Sequence, residues 1–310
     1  VIEVVEDPIV ISWSEIDAFR QCPFKHHLAY RERWQSDEDK ETLARGTAWH
    51  EILEAHYSGA EEEVIQRLLG QDEYTLEQTE RQELLEWMFN GYLDMWSKDD
   101  TKWQIRAVEW KGFAALPNPW GGPSRFMLKV KIDLLAVQRG RLWVWDHKSA
   151  RNLPNDRELD LDDQFGLYIW CLRQLGYPVA GAVYNCARTQ RNKDESTQPL
   201  EARFSRTRLS RTDIELDMIA QEAYMSAAKA WPQTSAETMG EPVDLPVRRL
   251  LPERNTNTDT CKWKCDFTEA CLSSRKGGRI EDMLRAHGYS PRPFREVEIE
   301  WKEYKDQNGS

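Results

Sequence analysis

The chain has 310 residues, a formal net charge of -11, 31% charged residues and 40% hydrophobic residues. That balance describes a folded, water-compatible chain and excludes a disordered one, and no apolar run approaches the roughly 18–20 residues of a membrane span. The acidic excess excludes a protein that coats nucleic acid by phosphate neutralisation alone, yet it leaves room for a local basic groove beside metal-binding carboxylates. Residues 1–10 carry Glu3, Glu6 and Asp7 and no basic start. They do not read as a secretory signal, and the expected location is the cytoplasm.

Residues 10–11 read as extended, and Ser12-Trp13-Ser14-Glu15-Ile16-Asp17 as a helix start capped by Ser12 or Ser14. Cys22-Pro23 ends that helix, and a second helical stretch runs through Tyr30. Over 41–57 the set Leu43, Ala44, Ala48, Ile52, Leu53, Ala55 and His56 recurs at helical spacing; Gly46 within it weakens the helical pattern or marks a close approach. Two more helices follow at 60–69 and 75–96, the second with Leu76, Leu84, Leu85, Met88, Tyr92, Leu93 and Trp96 along one side. The pattern then changes to a strand at 104–116 and a turn at Pro117-Asn118-Pro119-Trp120-Gly121-Gly122-Pro123. Strands at 126–137 and 142–145 are joined by the hairpin Arg139-Gly140-Arg141. A helix at 161–175 ends at Gly176. Then come a strand at 179–187, a polar loop at 190–199, a strand at 202–209 and a helix at 212–231. From Pro232 onward the chain reads as irregular. This order predicts an α/β fold, a mixed sheet flanked by helices. The expectation is one domain over 1–310, with a helical N-terminal part at 12–100, a core at 101–231 and a cysteine-bearing tail at 232–310.

Lys129-Val130-Lys131-Ile132-Asp133 closes one strand pattern on a carboxylate, and Trp143-Val144-Trp145-Asp146-His147-Lys148 closes the next on Asp-x-Lys. Adjacent antiparallel strands bring Asp133 and Asp146 together, and strand alternation puts Asp146 and Lys148 on one face. Such a set suits phosphodiester hydrolysis. Oxygen ligands hold Mg²⁺ or Mn²⁺, the ion polarises phosphate and acidifies a bound water, and the lysine orients that water or offsets developing charge. The bland alternative is a solvated hairpin with surface charges. His50 lies on a helix ahead of the sheet, in Gly46-Thr47-Ala48-Trp49-His50, and imidazole is an acceptable Mn²⁺ ligand. Gln164 and Tyr168 are four apart and share a helix face; taken singly, each reads equally as ordinary helix surface.

Together, Gly46…His50, Asp133, Asp146-His147-Lys148 and Gln164…Tyr168 resemble the motifs of the RecB-like nucleases of the D/E-x-K superfamily, over about residues 44–170. The resemblance implies a restriction-endonuclease-like fold and an Mg²⁺- or Mn²⁺-dependent deoxyribonuclease. It implies that His50, Asp133 and Asp146 bind the metal with help from the His147 backbone carbonyl. Lys148 then assists the nucleophile, and Gln164 and Tyr168 position DNA or support the site. Glu109, on the preceding strand, is a further candidate ligand.

Cys261-Lys262-Trp263-Lys264-Cys265 and Cys271 form a compact C-terminal group, and Cys22 sits far upstream before Pro23. Four thiolates suit zinc or an iron–sulfur cluster, and the chemistry alone does not separate them. The chain is similar here to the subset of RecB-like nucleases, including AddB and the CRISPR-associated exonucleases, that staple their C-terminus with a [4Fe–4S] cluster. That similarity implies a structural [4Fe–4S] cluster on Cys22, Cys261, Cys265 and Cys271. The family usually has two residues between the first pair of C-terminal cysteines and this chain has three, which keeps zinc as the alternative. Cys171 and Cys186 lie in apolar contexts and read as core.

Arg203, Arg206, Arg208 and Arg211, and also Arg248, Arg249 and Arg254, are candidate phosphate contacts. Trp13, Trp49 and Trp120 are candidate platforms for unpaired bases. The resemblance favours an exonuclease on single-stranded DNA. The competing expectations are a non-catalytic DNA-binding component of a recombination, repair or CRISPR-adaptation complex, and a structure-specific endonuclease. No Gly-x-x-x-x-Gly-Lys-Ser/Thr loop is present, so unwinding would come from a helicase partner.

Overall fold

Capping and proline signals set the first boundaries. In the computed structural model, which describes residues 2–37, 41–70, 76–192, 198–232, 252–263, 265–292 and 295–308, the Ser12 hydroxyl accepts from Glu15 N–H at 3.4 Å and starts the first helix. In chain order the elements are β1 (Val4–Ser12), α1 (Trp13–Gln21), α2 (Pro23–His26), a π-helical turn (His27–Arg31), β2 (Trp34–Ser36), α3 (Glu41–Tyr57), α4 (Glu62–Leu69), α5 (Leu76–Asp100), β3 (Gln104–Ala115), β4 (Ser124–Gln138) and β5 (Arg141–Ala150). There follow α6 (Asp156–Asp160), α7 (Asp163–Gln174), β6 (Val179–Arg188), α8 (Leu200–Arg203), β7 (Phe204–Leu209), α9 (Asp213–Ala230), α10 (Thr258–Trp263), α11 (Thr268–Arg275), α12 (Ile280–Ala286), β8 (Tyr289–Pro291) and α13 (Glu296–Asn308). The mixed strands and flanking helices match the predicted α/β class. The stretch after 232 does not match its predicted irregularity: four helices lie among its described residues. They are short or densely charged and carry no long apolar stripe for periodicity to detect. Gly46 marks no close approach, since a Cβ there would meet nothing within 4 Å. No helix among the described residues is long and apolar enough to cross a membrane.

The chain divides into two compact units. The first is assembled from Val1–Glu38, Phe113–Lys129 and Ala220–Ser310. In it β1 runs parallel to the start of β4, from Ile9↔Phe126 to Ser12↔Lys129. Val10, Phe113 and Met127 pack against Trp301 and Tyr304 of α13. A buried ionic cluster ties α1 to the far end of the chain. Glu15 accepts from Trp231 Nε1 at 2.7 Å, lies 3.0 Å from His26 Nε2 and pairs with Arg295, and Arg295 also donates to the Val10 carbonyl at 2.8 Å.

The second unit is Asp39–Gly112 with Val130–Ile219. Its end of β4 pairs antiparallel with β5, β5 runs parallel to β6, and β6 pairs antiparallel with β7. Successive strand residues face opposite sides, so each face has its own cover. On one, Tyr184 meets Phe165 of α7 with ring centroids 5.5 Å apart. On the other, Trp145 and Val183 pack with Trp103 and with Tyr57 of α3. The fully buried Trp49, Ile52, Leu53 and Met88 extend that second layer.

Candidate active site and a cysteine-lined cavity

The β4–β5 hairpin delivers the carboxylates. Arg139 and Gly140 form its tight turn with φ of 51° and 73°, both left-handed, the conformation that two-residue hairpins favour. Pairing runs from Gln138↔Arg141 to Leu134↔Trp145 and stops one step short of Asp133 and Asp146. There the Asp133 carboxylate takes over: its Oδ2 accepts from His147 N–H at 2.6 Å. Asp146 and Lys148 share a face and His147 turns to the other. Lys148 Nζ donates to Asp146 Oδ1 at 3.0 Å and to Gln164 Oε1 at 3.3 Å. Gln164 in turn donates from Nε2 to Asp146 Oδ1 at 3.3 Å and to the Tyr168 hydroxyl at 2.6 Å. Asp162 caps α7 by accepting from Gln164 N–H at 2.9 Å, which fixes where this side chain leaves the helix. Thus Asp146, Lys148, Gln164 and Tyr168 form one hydrogen-bonded group.

A second group forms around Asp133. His50 of α3 places Nδ1 3.4 Å from Asp133 Oδ2, and one ligand atom each from His50, Glu109 and Asp133 all lie within 4.8 Å of one another. Glu109 reaches this position from β3 with φ of 52°, a left-handed conformation that is uncommon outside glycine and interrupts strand alternation. It also pairs with Lys131. An imidazole and two carboxylates fit a hard divalent cation such as Mg²⁺ or Mn²⁺. Asp146 lies outside this trio. Its Oδ2 is buried and, although 2.7 Å from Lys148 Nζ, makes no well-directed hydrogen bond, so it retains an acceptor for a cation.

The charges are arranged unequally. Burial opposes ionisation of Asp133, but the hydrogen bond and charge of His50 and the His147 N–H outweigh it and hold the carboxyl down at about 2. At Asp146 burial, reinforced by repulsion from Asp133, outweighs Lys148 and pushes the carboxyl up to about 6. Burial works against the charged forms of His50 and Lys148 too, yet Asp133 raises the first and Asp146 raises the second. Two carboxylates pushed apart in this way are a feature of sites that handle both protons and metals.

The His147 imidazole is 2% exposed, and burial drives its pKa down to about 3. It stacks on Tyr57, with centroids 5.4 Å apart and rings 3° from parallel. Behind it lies Arg206, expected from sequence to be a phosphate contact and found internal instead. Its guanidinium meets Asp99 at 2.9 Å and Asp100 at 2.7 Å with 4% of the side chain exposed. The neighbouring arginines also have protein partners: Arg203 stacks on Trp87 at 3.7 Å, the exposed Arg208 lies against Trp103 and Trp143, and Arg211 binds the Leu159 and Asp160 carbonyls at 2.9 Å. Of the predicted basic track at 203–211, Arg206 is thus withdrawn into the fold, while Arg208 stays exposed. An alternating strand of arginines flanked by tryptophans signals side chains that pack. Arg248 and Arg249 lie outside the described residues. Of the expected stacking residues, Trp49 is fully buried, Trp13 lies under Arg20 at 5.6 Å, and Trp120 is 72% exposed.

In the first unit, Cys22, Cys261, Cys265 and Cys271 line one cavity of about 180 Å³, with Phe24, Lys25, Arg254 and Arg275. Asn255 N–H donates to Cys22 Sγ at 3.4 Å, and Cys261 S–H points to the Asn255 carbonyl at 3.9 Å. No three of these sulfurs lie within 4.8 Å of one another. A single tetrahedral zinc, with Zn–S near 2.3 Å, needs sulfurs roughly 3.8 Å apart. The four sulfurs share a cavity but are not drawn together into a tight metal-binding group. Arg254 stacks on Phe24 at 4.3 Å and donates to Ser274 Oγ at 2.7 Å. Cys171 and Cys186 are buried elsewhere, as expected.

The family profile of the PD-(D/E)XK nuclease superfamily matches residues 10–272. No curated protein matches the chain. Among solved structures, the chain is similar to a candidate exonuclease from Eubacterium rectale, at 15% identity over 71% of this chain and 79% of that one, with a TM-score of 0.45. It is also similar to the protein SSO0001, at 12% identity over 68% of this chain and 85% of that one, with a TM-score of 0.28.

Proposed function

Because the chain belongs to the PD-(D/E)XK nuclease superfamily, we propose that it is a metal-dependent deoxyribonuclease that trims single-stranded DNA from its ends. The observation that carries this reading is the Asp146–Lys148–Gln164 hydrogen-bonded group beside the His50–Glu109–Asp133 donor set. His50, Glu109, Asp133 and Asp146 would hold Mg²⁺ or Mn²⁺, with the His147 carbonyl as a further oxygen. The ion when bound polarises the phosphate and acidifies a water. The protein's own contribution is positional. Lys148, locked between Asp146 and Gln164, presents an ammonium to the oxygen that attacks phosphorus and to the charge that builds there. As the new P–O bond forms the ester P–O bond breaks, and the leaving oxygen takes up a proton. Tyr168 holds Gln164 in its rotamer.

Labelled linear single-stranded, duplex and circular DNA with Mn²⁺, treated with wild type and Lys148→Ala, tests the reading. Shortening of linear single strands by wild type alone supports it. Binding without cleavage makes the protein a DNA-binding component, and cleavage of circles makes it an endonuclease.

The second part of the proposal is that Cys22, Cys261, Cys265 and Cys271 hold a structural [4Fe–4S] cluster, with zinc as the alternative; what supports it is that the four line one cavity. Iron and sulfide content with a visible spectrum, on anaerobically purified protein, is the test. Brown wild type and colourless, poorly soluble Cys22→Ala are expected; a stable, colourless, iron-free wild type refutes it.

A further inference from the structure

His147, Asn185 and Arg206 form a row across three strands, His147 opposite Asn185 on β5 and β6, and Asn185 opposite Arg206 on β6 and β7. Directly opposed residues share a sheet face, and this is the face turned away from Asp146 and Lys148. The hydrogen bonds along the row have a forced direction. Arginine can only donate, so the Arg206 Nε contact with Asn185 at 3.2 Å fixes Oδ1 as the acceptor and turns Nδ2 the other way. From there Nδ2 donates to the Tyr92 hydroxyl at 2.9 Å and to His147 Nδ1 at 2.8 Å. His147 Nδ1 must therefore be unprotonated, which places the ring proton on Nε2 and fixes both rotamer and tautomer. Arg206 is itself held by Asp99, Asp100 and Tyr92 and lies between Trp96 and Trp145, at 4.2 and 4.6 Å. Tyr57 closes the other side of the imidazole, its hydroxyl 2.5 Å from that of Tyr92.

We propose that Asn185 and Arg206 are positioning residues for the active site, acting through the His147 side chain to fix the peptide that gives Asp133 its N–H. The inference rests on the metal-dependent function proposed above. The consequence is specific. Residue 147 supplies its N–H to Asp133 at 2.6 Å, and its neighbours supply Asp146 and Lys148. A locked imidazole on the back of the strand therefore sets the angle at which three functional groups face the front.

The test compares wild type, Asn185→Ala, His147→Ala and the double variant, each first shown to unfold cooperatively. Arg206→Met is added, and Asn185→Ala carries the test if that variant does not fold. In metal-free protein, amide hydrogen exchange at His147 is expected to rise about tenfold or more in Asn185→Ala, with the β5 amides near Trp143 unchanged. Calorimetric Mn²⁺ titration is expected to show about tenfold weaker binding, the usual cost of losing an outer-shell partner. The double variant should be no worse than His147→Ala alone. Wild-type exchange at His147 in Asn185→Ala overturns the proposal, and so does an equal loss of Mn²⁺ affinity with and without the His147 ring. A wild type that binds no Mn²⁺ overturns the functional reading instead, and the exchange arm still decides the positioning role.

Discussion

Acidification should strip the proposed metal site through one carboxylate. Asp146 is raised to about 6 while Asp133 is held at about 2, so between pH 7 and pH 5 the second stays ionised and the first does not. A ligand must shed its proton to bind a cation. At pH 5 only about a tenth of Asp146 is ionised, so Mn²⁺ affinity should fall about tenfold from its value at pH 7. His50, also raised, adds a second proton to release and steepens the fall. Calorimetry in two buffers of different ionisation heat counts those protons: one to two at pH 5, fewer at pH 8. The same shift alters stability. In metal-free protein Asp146 binds its proton more tightly folded, at about 6, than unfolded, at about 4. Its stabilising contribution is thus present below about pH 4 and lost as pH rises through about 6, a difference of at most about 3 kcal/mol. Asp133 acts in the opposite sense, contributing above about pH 4 and losing that contribution as pH falls through about 2. Mn²⁺ should therefore raise the urea midpoint more at pH 7.5 than at pH 5. Affinity that is flat from pH 5 to 7.5, with no proton release, would refute the reasoning.

Lys148→Met should keep Mn²⁺ binding and lose about 100-fold or more in kcat on labelled DNA, since its ammonium acts on developing charge. Glu109→Gln should weaken Mn²⁺ binding about tenfold while leaving the proton release of Asp146 intact, as seen by the same calorimetry. Gly181→Ala should cost about 1–3 kcal/mol in urea unfolding, because a Cβ there would sit against the Leu209 carbonyl of β7 and the Trp143 ring.

The candidate catalytic face was legible because strand period carries it. Asp146 and Lys148 are two apart at the end of an aromatic strand, and Asp133 ends its hairpin partner, so alternation and pairing sufficed. Gln164 and Tyr168 were legible for the same reason on a helix. Glu109 carried only a weak signal, since its place depends on a left-handed backbone that no residue-type pattern announces. The arginines misled. Charge alone suggested a solvent-facing track, but Arg206 is stabilised by two aspartates from the end of α5 and by tryptophan faces from distant parts of the chain. Trp49 misled in the opposite sense, for an aromatic beside a candidate ligand can be pure core. The helices after 250 escaped because their register is set by packing around the cysteine cavity and against β1, as with Phe267 and Trp301.

The Arg295–Glu15 pair spans 280 positions of sequence, and Arg295 with the Val10 carbonyl spans 285. Contacts of such range are the slowest to close. The unit that contains them is stitched from three segments, the last beginning at Ala220, whereas the unit bearing the carboxylates ends at Ile219. On the ribosome Asp133 and Asp146 therefore have His50, His147, Lys148 and Gln164 available while the first unit still lacks its last segment. Until residue 295 emerges, Glu15 lacks its Arg295 partner. The closure of Glu15 by Arg295 is thus a late contact of its unit, made only after the carboxylates of the other unit have their partners in hand.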